Sequence, residues 1–203
     1  MIVMGGSLGG MQSAQTILQA LPAAFAMPIV VALHRPPDDE DMLTPLLQRG
    51  CALQVSEVVD KEPIETGRVY VAPPDYHVLL EPDCLSLSVD ERVNYARPSI
   101  DVLFESAALV YGGRAIGVIL SGAGVDGARG AAAIHECAGT VLIESPATAL
   151  RPDLPAAALA ATAASMSLPL PQIATALCEL ARKSPNGVPD ASRSTSQHPA
   201  GRR

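Results

Sequence analysis

The chain has no tryptophan, aromatic residues make up only 3% of it, and lysine occurs twice, at Lys61 and Lys183. Few stacking rings argue against a nucleic-acid binder. Neither lysine lies beside a glycine-rich loop, which removes a P-loop lysine and argues against Schiff-base chemistry. The four cysteines (Cys51, Cys84, Cys137, Cys178) are scattered with no C-x-x-C pair. That spacing supports neither a disulfide framework nor a zinc site, and suggests reduced thiols in an intracellular protein. No run of 18 or more apolar residues occurs, and the N-terminus lacks a basic segment ahead of an apolar one. Membrane insertion and a secretory signal are therefore not expected, and the expected location is the cytoplasm.

What is present is a globular composition: 203 residues, 48% hydrophobic and 17% charged, with a net charge of −7. From Lys183 onward four basic residues face one acid, so that segment carries +3 and the body before it −10. An acidic body again disfavours a phosphate backbone as partner. Residues 1–182 are expected to form one domain, and 183–203, rich in Ser, Pro, Gly and Asn, a disordered tail.

Apolar strand-like runs alternate with helical patterns, which predicts a doubly wound α/β domain with a mostly parallel sheet and helices on both faces. Strands are expected at Met1–Met4, Pro28–Leu33, Ala52–Val59, Arg68–Ala72, Arg114–Leu120, Thr140–Ile143 and Met166–Leu168. Helices are expected over Gly9–Ala20, Glu40–Gln48, Ser99–Tyr111, Gly127–Cys137, Leu154–Ala163 and Pro171–Arg182. Ser99 is placed to cap its helix. Tyr76–Leu80 and Cys84–Val89 flank Glu81-Pro82-Asp83 and suggest a hairpin added antiparallel to the sheet.

Three segments carry candidate chemistry. Gly5-Gly6-Ser7-Leu8-Gly9-Gly10 follows the first strand and opens the first helix. As a dinucleotide fingerprint it fails, because the required second glycine is Ser7 or Leu8 and no acid ends the second strand. Ser7 as a helix cap is a competing structural reading. As G-x-S-x-G after a strand, the segment instead offers Ser7 as a nucleophile. His34 ends the second strand and is the candidate base. His77 in the hairpin, His135 in a helix and His198 in the tail are weaker choices. Asp126, in Ser121-Gly122-Ala123-Gly124-Val125-Asp126-Gly127, either caps the following helix or orients the base. Backbone N–H groups of Leu8 and Ala123 are candidate oxyanion donors. The chain order Ser, His, Asp differs from the Ser, Asp/Glu, His of α/β-hydrolases. Asp38-Asp39-Glu40-Asp41 resembles a metal cluster, but acids that open a helix complement its dipole, so no metal is assigned. Arg97, in Arg97-Pro98-Ser99-Ile100-Asp101, either leads into a capped helix or faces a substrate carboxylate.

Together these segments resemble the catalytic domain of the chemotaxis protein-glutamate methylesterases (CheB type). The resemblance rests on Gly6-Ser7-Leu8-Gly9-Gly10, on His34, and on Val71-Ala72-Pro73-Pro74-Asp75-Tyr76-His77. It rests further on Arg97-Pro98-Ser99-Ile100-Asp101-Val102-Leu103-Phe104 and on Ile119 through Gly127, and it spans roughly residues 1–180. It implies hydrolysis of glutamyl methyl esters on the cytoplasmic domain of a chemoreceptor, and deamidation of certain receptor glutamines. It also implies a nucleophile at Ser7, a base at His34, an orienting acid at Asp126, and no cofactor. The sequence departs from the family pattern at Leu8, Arg35, Ala123 and Glu144-Ser145, which would reshape the pocket. No receiver domain precedes Met1 in the chain, so regulation is expected from a separate response-regulator domain or in a stand-alone form. The alternatives are a catalytically weak module that binds a receptor or signalling partner and, less favoured, a nucleotide-binding domain.

Overall fold

Seven strands line up in the order β3-β4-β2-β1-β7-β8-β9, and every pairing between them is parallel. The strands are β1 (Ile2–Gly6), β2 (Ile29–Leu33), β3 (Gln54–Glu57), β4 (Arg68–Val71), β7 (Ile116–Ile119), β8 (Thr140–Glu144) and β9 (Met166–Leu168). They belong to a computed structural model that describes residues 1–38, 42–162 and 166–183. Most of the Asp38–Asp41 acid cluster and all of the expected tail after Lys183 lie outside the described residues.

The central strands are apolar on both faces, as parallel strands covered by helices must be. Successive residues point to opposite sides, so each strand feeds two cores. Ile2 and Met4 of β1, with Ile29, Val31 and Leu33 of β2, pack in the core closed by helices α1 (Gly10–Ala20), α2 (Leu43–Gln48) and α6 (Leu170–Lys183). Val3, Val30 and Ala32 face the other side. There they meet α3 (Ile100–Tyr111), α4 (Ala128–Glu136) and α5 (Asp153–Ala161).

The Glu81-Pro82-Asp83 turn does close a hairpin, of β5 (His77–Leu80) and β6 (Leu85–Ser88). This pair is a separate two-stranded sheet and does not extend the main one. Val78, Leu80 and Leu85 are buried against the second core beside α3, so burial on a helix face replaces edge pairing. Helix α2 begins at Leu43, three residues later than expected. The other elements match within two or three residues, as ends commonly do.

Register places the functional edge. Gly6 of β1 pairs with Leu33 of β2, and Gly5 pairs with Ile119 of β7. Ser7 and His34 are each the next residue beyond a paired position, and the 120–127 loop leaves the strand on the other side of β1. In an open α/β sheet this carboxyl edge is where ligands bind.

Candidate active site

Ser7 begins the turn between β1 and α1. Its N–H donates to Ser121 O at 3.0 Å, and its carbonyl accepts from Gly10 N at 2.8 Å. The helix cap is Gly9, with φ of +87° and no side-chain cap bond. Ser7 Oγ therefore does not cap α1, and among the described residues it has no hydrogen-bond partner. Gly9 cannot readily be replaced, because its backbone is left-handed and a Cβ there would lie 2.7 Å from Ser121 Oγ. Gly122 lets the β7 loop approach: a Cβ on it would sit 2.9 Å from Ser7 Cβ.

His34 Nε2 lies 2.7 Å from Asp126 Oδ2. The Asp126 carboxylate can only accept, so Nε2 carries the proton and donates it, which leaves the Nδ1 lone pair as the ring's proton acceptor. Ser7 and His34 line one cleft of about 270 Å³ together with Met11, Leu33, Met42 and Leu46. A nucleophile–base hydrogen bond often forms only when substrate is bound. Among the described residues neither the Leu8 nor the Ala123 N–H donates to a protein acceptor.

Asp126 is 2% exposed, and every group around it donates. Oδ2 accepts from His34 and from Ile100 N at 2.7 Å; Oδ1 accepts from Ser99 Oγ at 2.8 Å, Asn94 Nδ2 at 3.0 Å and Asp101 N at 3.3 Å. Burial raises the pKa of this carboxyl, but the bonds from His34, Asn94, Ile100 and Ser99 outweigh it and hold the group below the ordinary carboxylate value. The carboxylate thus caps the start of α3, not the helix that follows it in sequence. Asp101 does the reciprocal work: its Oδ1 accepts from Gly127 N and Gly130 N at the start of α4, both at 2.8 Å. Two buried aspartates cross-cap two helices, each complementing the positive end of the other's dipole.

Two anions so close would repel. Asn94 answers this by donating its amide to both, to Asp101 Oδ2 at 2.9 Å and to Asp126 Oδ1 at 3.0 Å. Burial and the Asp126 charge still push the Asp101 carboxyl up, against the N–H bonds from Gly130 and Gly127. Replacing Asn94 by alanine should therefore cost about 1–3 kcal/mol of stability at pH 7. The sign with pH follows from linkage. Without the shared amide the folded-state carboxyls titrate higher, so the deficit is full above that raised value. It shrinks as pH falls through the carboxylate range and the pair takes up a proton. Urea midpoints of both proteins at pH 7 and pH 4 check this; an equal deficit at both would mean that the amide only fills space.

Arg97 lies beside His34, Arg35, Arg92 and Asn94 on an adjoining groove of about 380 Å³. Its guanidinium is engaged by Asp75 Oδ1 at 2.9 Å and by the carbonyls of Val89 and Asp90. His77 is buried away from the cleft, where Nδ1 accepts from Ser99 N at 3.1 Å and Nε2–H donates to Glu91 O. Three supporting groups escaped sequence reasoning. Besides Asn94 these are Ser121, whose Oγ donates to Leu8 O and accepts from Arg151 N, both at 2.9 Å, and Glu144, buried, which accepts from Ser121 N at 2.7 Å. Ser121 and Glu144 tie the loops after β1, β7 and β8 to one another. Asn94 had a faint signal, since asparagine tolerates the left-handed φ of +51° it adopts.

An α/β domain that gathers a serine, a histidine and a hydrogen-bonded aspartate at adjoining strand ends has the build of a serine-type hydrolase. The chain belongs to the CheB methylesterase family, whose model matches residues 2–177. A Leptospira interrogans (strain Fiocruz L1-130) protein named "Putative protein-glutamate methylesterase/protein-glutamine glutaminase" is 44% identical over 174 residues, 85% of this chain and 90% of that relative. A Caulobacter vibrioides protein-glutamate methylesterase/protein-glutamine glutaminase is 37% identical over 186 residues, covering 89% of this chain and 54% of its own length. Among solved structures, the CheB methylesterase catalytic domain of Thermotoga maritima superposes with a TM-score of 0.85 at 34% identity. That match covers 88% of this chain and 97% of the other. Among the described residues no helix is long and apolar enough to cross a membrane.

Proposed function

We propose that this chain hydrolyses methyl esters of glutamyl side chains on chemoreceptors, with Ser7 as nucleophile, His34 as base and Asp126 as orienting acid. The observation that carries this reading is the 2.7 Å bond between His34 and Asp126, at the wall of the cleft that also holds Ser7. Asp126 selects the Nε2–H tautomer and stabilises the imidazolium. Nδ1 then takes the Ser7 proton as Oγ attacks the ester carbonyl. The carbonyl π electrons move onto oxygen, where the N–H groups of Leu8 and Ala123 receive them, each donor contributing about 2.7–4 kcal/mol. Collapse breaks the bond to methoxide, which leaves as methanol with the proton from His34. Water, deprotonated by the same imidazole, releases the glutamate and restores Ser7.

The same steps on a glutamine side chain would expel ammonia, in keeping with the double name of the relatives. Arg97, beside His34, holds the Asp75 and Val89–Asp90 segments at the rim, and we keep it as a substrate-contact candidate there. Asp126 engages its partners in a fully donor-lined site, which favours a working enzyme over a module that only binds. The test is release of labelled methanol from a receptor cytoplasmic domain carrying methyl-labelled glutamyl esters. Stoichiometric, enzyme-dependent release is expected. No release from a folded enzyme on a fully methylated receptor would overturn the assignment.

A further inference from the structure

Exposed apolar side chains are ordinary when scattered singly and informative when they gather. Of the ten large ones exposed among the described residues, five surround the candidate active site: Leu8, Met42, Tyr95, Val125 and Leu150. Four of them follow the adjacent strands β2, β1, β7 and β8 in turn. Met42 comes after β2 and lines the Ser7–His34 cleft, and Leu8 follows Ser7. Val125 precedes Asp126, and Leu150 lies on the loop after β8 against Gly9, where a Cβ would meet its own Cβ at 2.9 Å. They therefore lie on the loops of four neighbouring strands, whose ends span roughly 14 Å at about 4.8 Å per strand.

The fifth, Tyr95, is 98% exposed. It shares a tight turn with Asn94, closed by the Val93–Ala96 bridge, and both central residues have positive φ, +51° and +63°. That is the type I′ arrangement, which asparagine tolerates and tyrosine does not favour. Asn94 points inward and is pinned by Asp101 and Asp126, so the turn holds Tyr95 outward on the His34 side of the site. A strained backbone that presents a bare aromatic ring beside the catalytic groups calls for a contact partner.

We infer that Met42, Leu8, Val125, Leu150 and Tyr95 form an apolar collar that docks the stretch of protein substrate on either side of the esterified glutamyl side chain. The proposal rests on the function assigned above. The collar meets the Ser7–His34 cleft at Met42 and the adjoining groove at Tyr95, and four strand ends are wider than one ester side chain can cover, so it fits a macromolecular substrate. Its chemistry also suits the reaction's direction. The ester is neutral and sits comfortably among apolar groups, whereas the carboxylate product loses hydration there. Such a surface favours the methylated segment over the hydrolysed one.

The test compares two substrates, a methylated receptor cytoplasmic domain and the small ester N-acetylglutamate γ-methyl ester. The variants are Tyr95→Ser, Leu150→Ser and the double substitution, all at exposed positions; unchanged melting curves establish that they fold. The double variant should lose roughly tenfold or more in kcat/KM on the receptor, chiefly through KM, a size typical of truncated contact residues. Turnover of the small ester should stay within about twofold of wild type. Unchanged receptor kinetics in the double variant would overturn the collar, as would equal losses on both substrates, which would show that these side chains act on the chemistry. A wild-type protein inactive on both substrates would instead overturn the functional assignment beneath it.

Discussion

Replacing Ser7 by alanine is expected to lower kcat for methyl-ester hydrolysis by about a millionfold, the loss seen when a triad nucleophile is removed. The expectation follows from what Ser7 does not do in the fold. Its hydroxyl caps no helix, that position being Gly9's, and it has no hydrogen-bond partner among the described residues. Alanine at this position therefore leaves the β1–α1 turn and its backbone bonds to Ser121 and Gly10 intact. The melting temperature should move little while turnover collapses. The N–H groups of Leu8 and Ala123 remain, so a residual rate of about 10³–10⁴ over water is expected from oxyanion stabilisation and binding. Steady-state methanol release from the methylated receptor, read beside a melting curve, separates the two effects. A folded variant that kept most of its activity would place the attack elsewhere.

The second large effect is expected at Asp126. Asparagine has nearly the same shape, yet every neighbour of this side chain is a donor: His34 Nε2–H, the Ile100 and Asp101 N–H groups, Ser99 and Asn94. A carboxylate offers only acceptors, whereas an amide must turn its NH₂ toward donors on one side. If it faces His34, the ring must place its proton on Nδ1, and the base is lost. If it faces Ser99 and Asn94, the Asn94 amide and the Asp101 N–H lose their acceptor instead. Asp126→Asn should thus lower kcat by about 10⁴, the cost of the wrong tautomer and an unsupported imidazolium, with a smaller change in KM. Some loss of stability should accompany it, since Asp126 is ionised and bonded in the fold. Its depressed pKa means that this contribution is present above the ordinary carboxylate value and lost as pH falls through the folded-state value. Kinetics at neutral pH with paired urea titrations check both parts. A loss in kcat of under about tenfold would show that His34 needs no anionic partner.

Much of this arrangement was open to reading in the chain. Glycines around Ser7, a histidine ending an apolar run and a glycine-rich loop bearing Asp126 each follow a strand, and parallel strands deliver their ends to one edge. Nearest-neighbour pairing of β1 with both β2 and β7 then brings them together. The hairpin was legible as a turn between apolar runs. Its docking was not, because burial on α3 and pairing at a sheet edge ask for the same alternation of residues. The helix-capping role of Asp126 was likewise misplaced. Local sequence points it at the helix it precedes, whereas tertiary structure points it at α3, with Asp101 taking the nearer task. Asn94 and Glu144 could not have been found by spacing, since each acts on a residue from a distant segment. Asn94 reaches Asp126 across 32 positions, and Glu144 reaches Ser121 across 23.

Labelling with a fluorophosphonate reports whether Ser7 is a nucleophile activated by His34. Intact-mass analysis and peptide mapping should find a single adduct, on Ser7, formed at a rate that falls by orders of magnitude in His34→Ala. An adduct on another serine, or labelling of Ser7 at an unchanged rate without His34, would contradict that role for the pair.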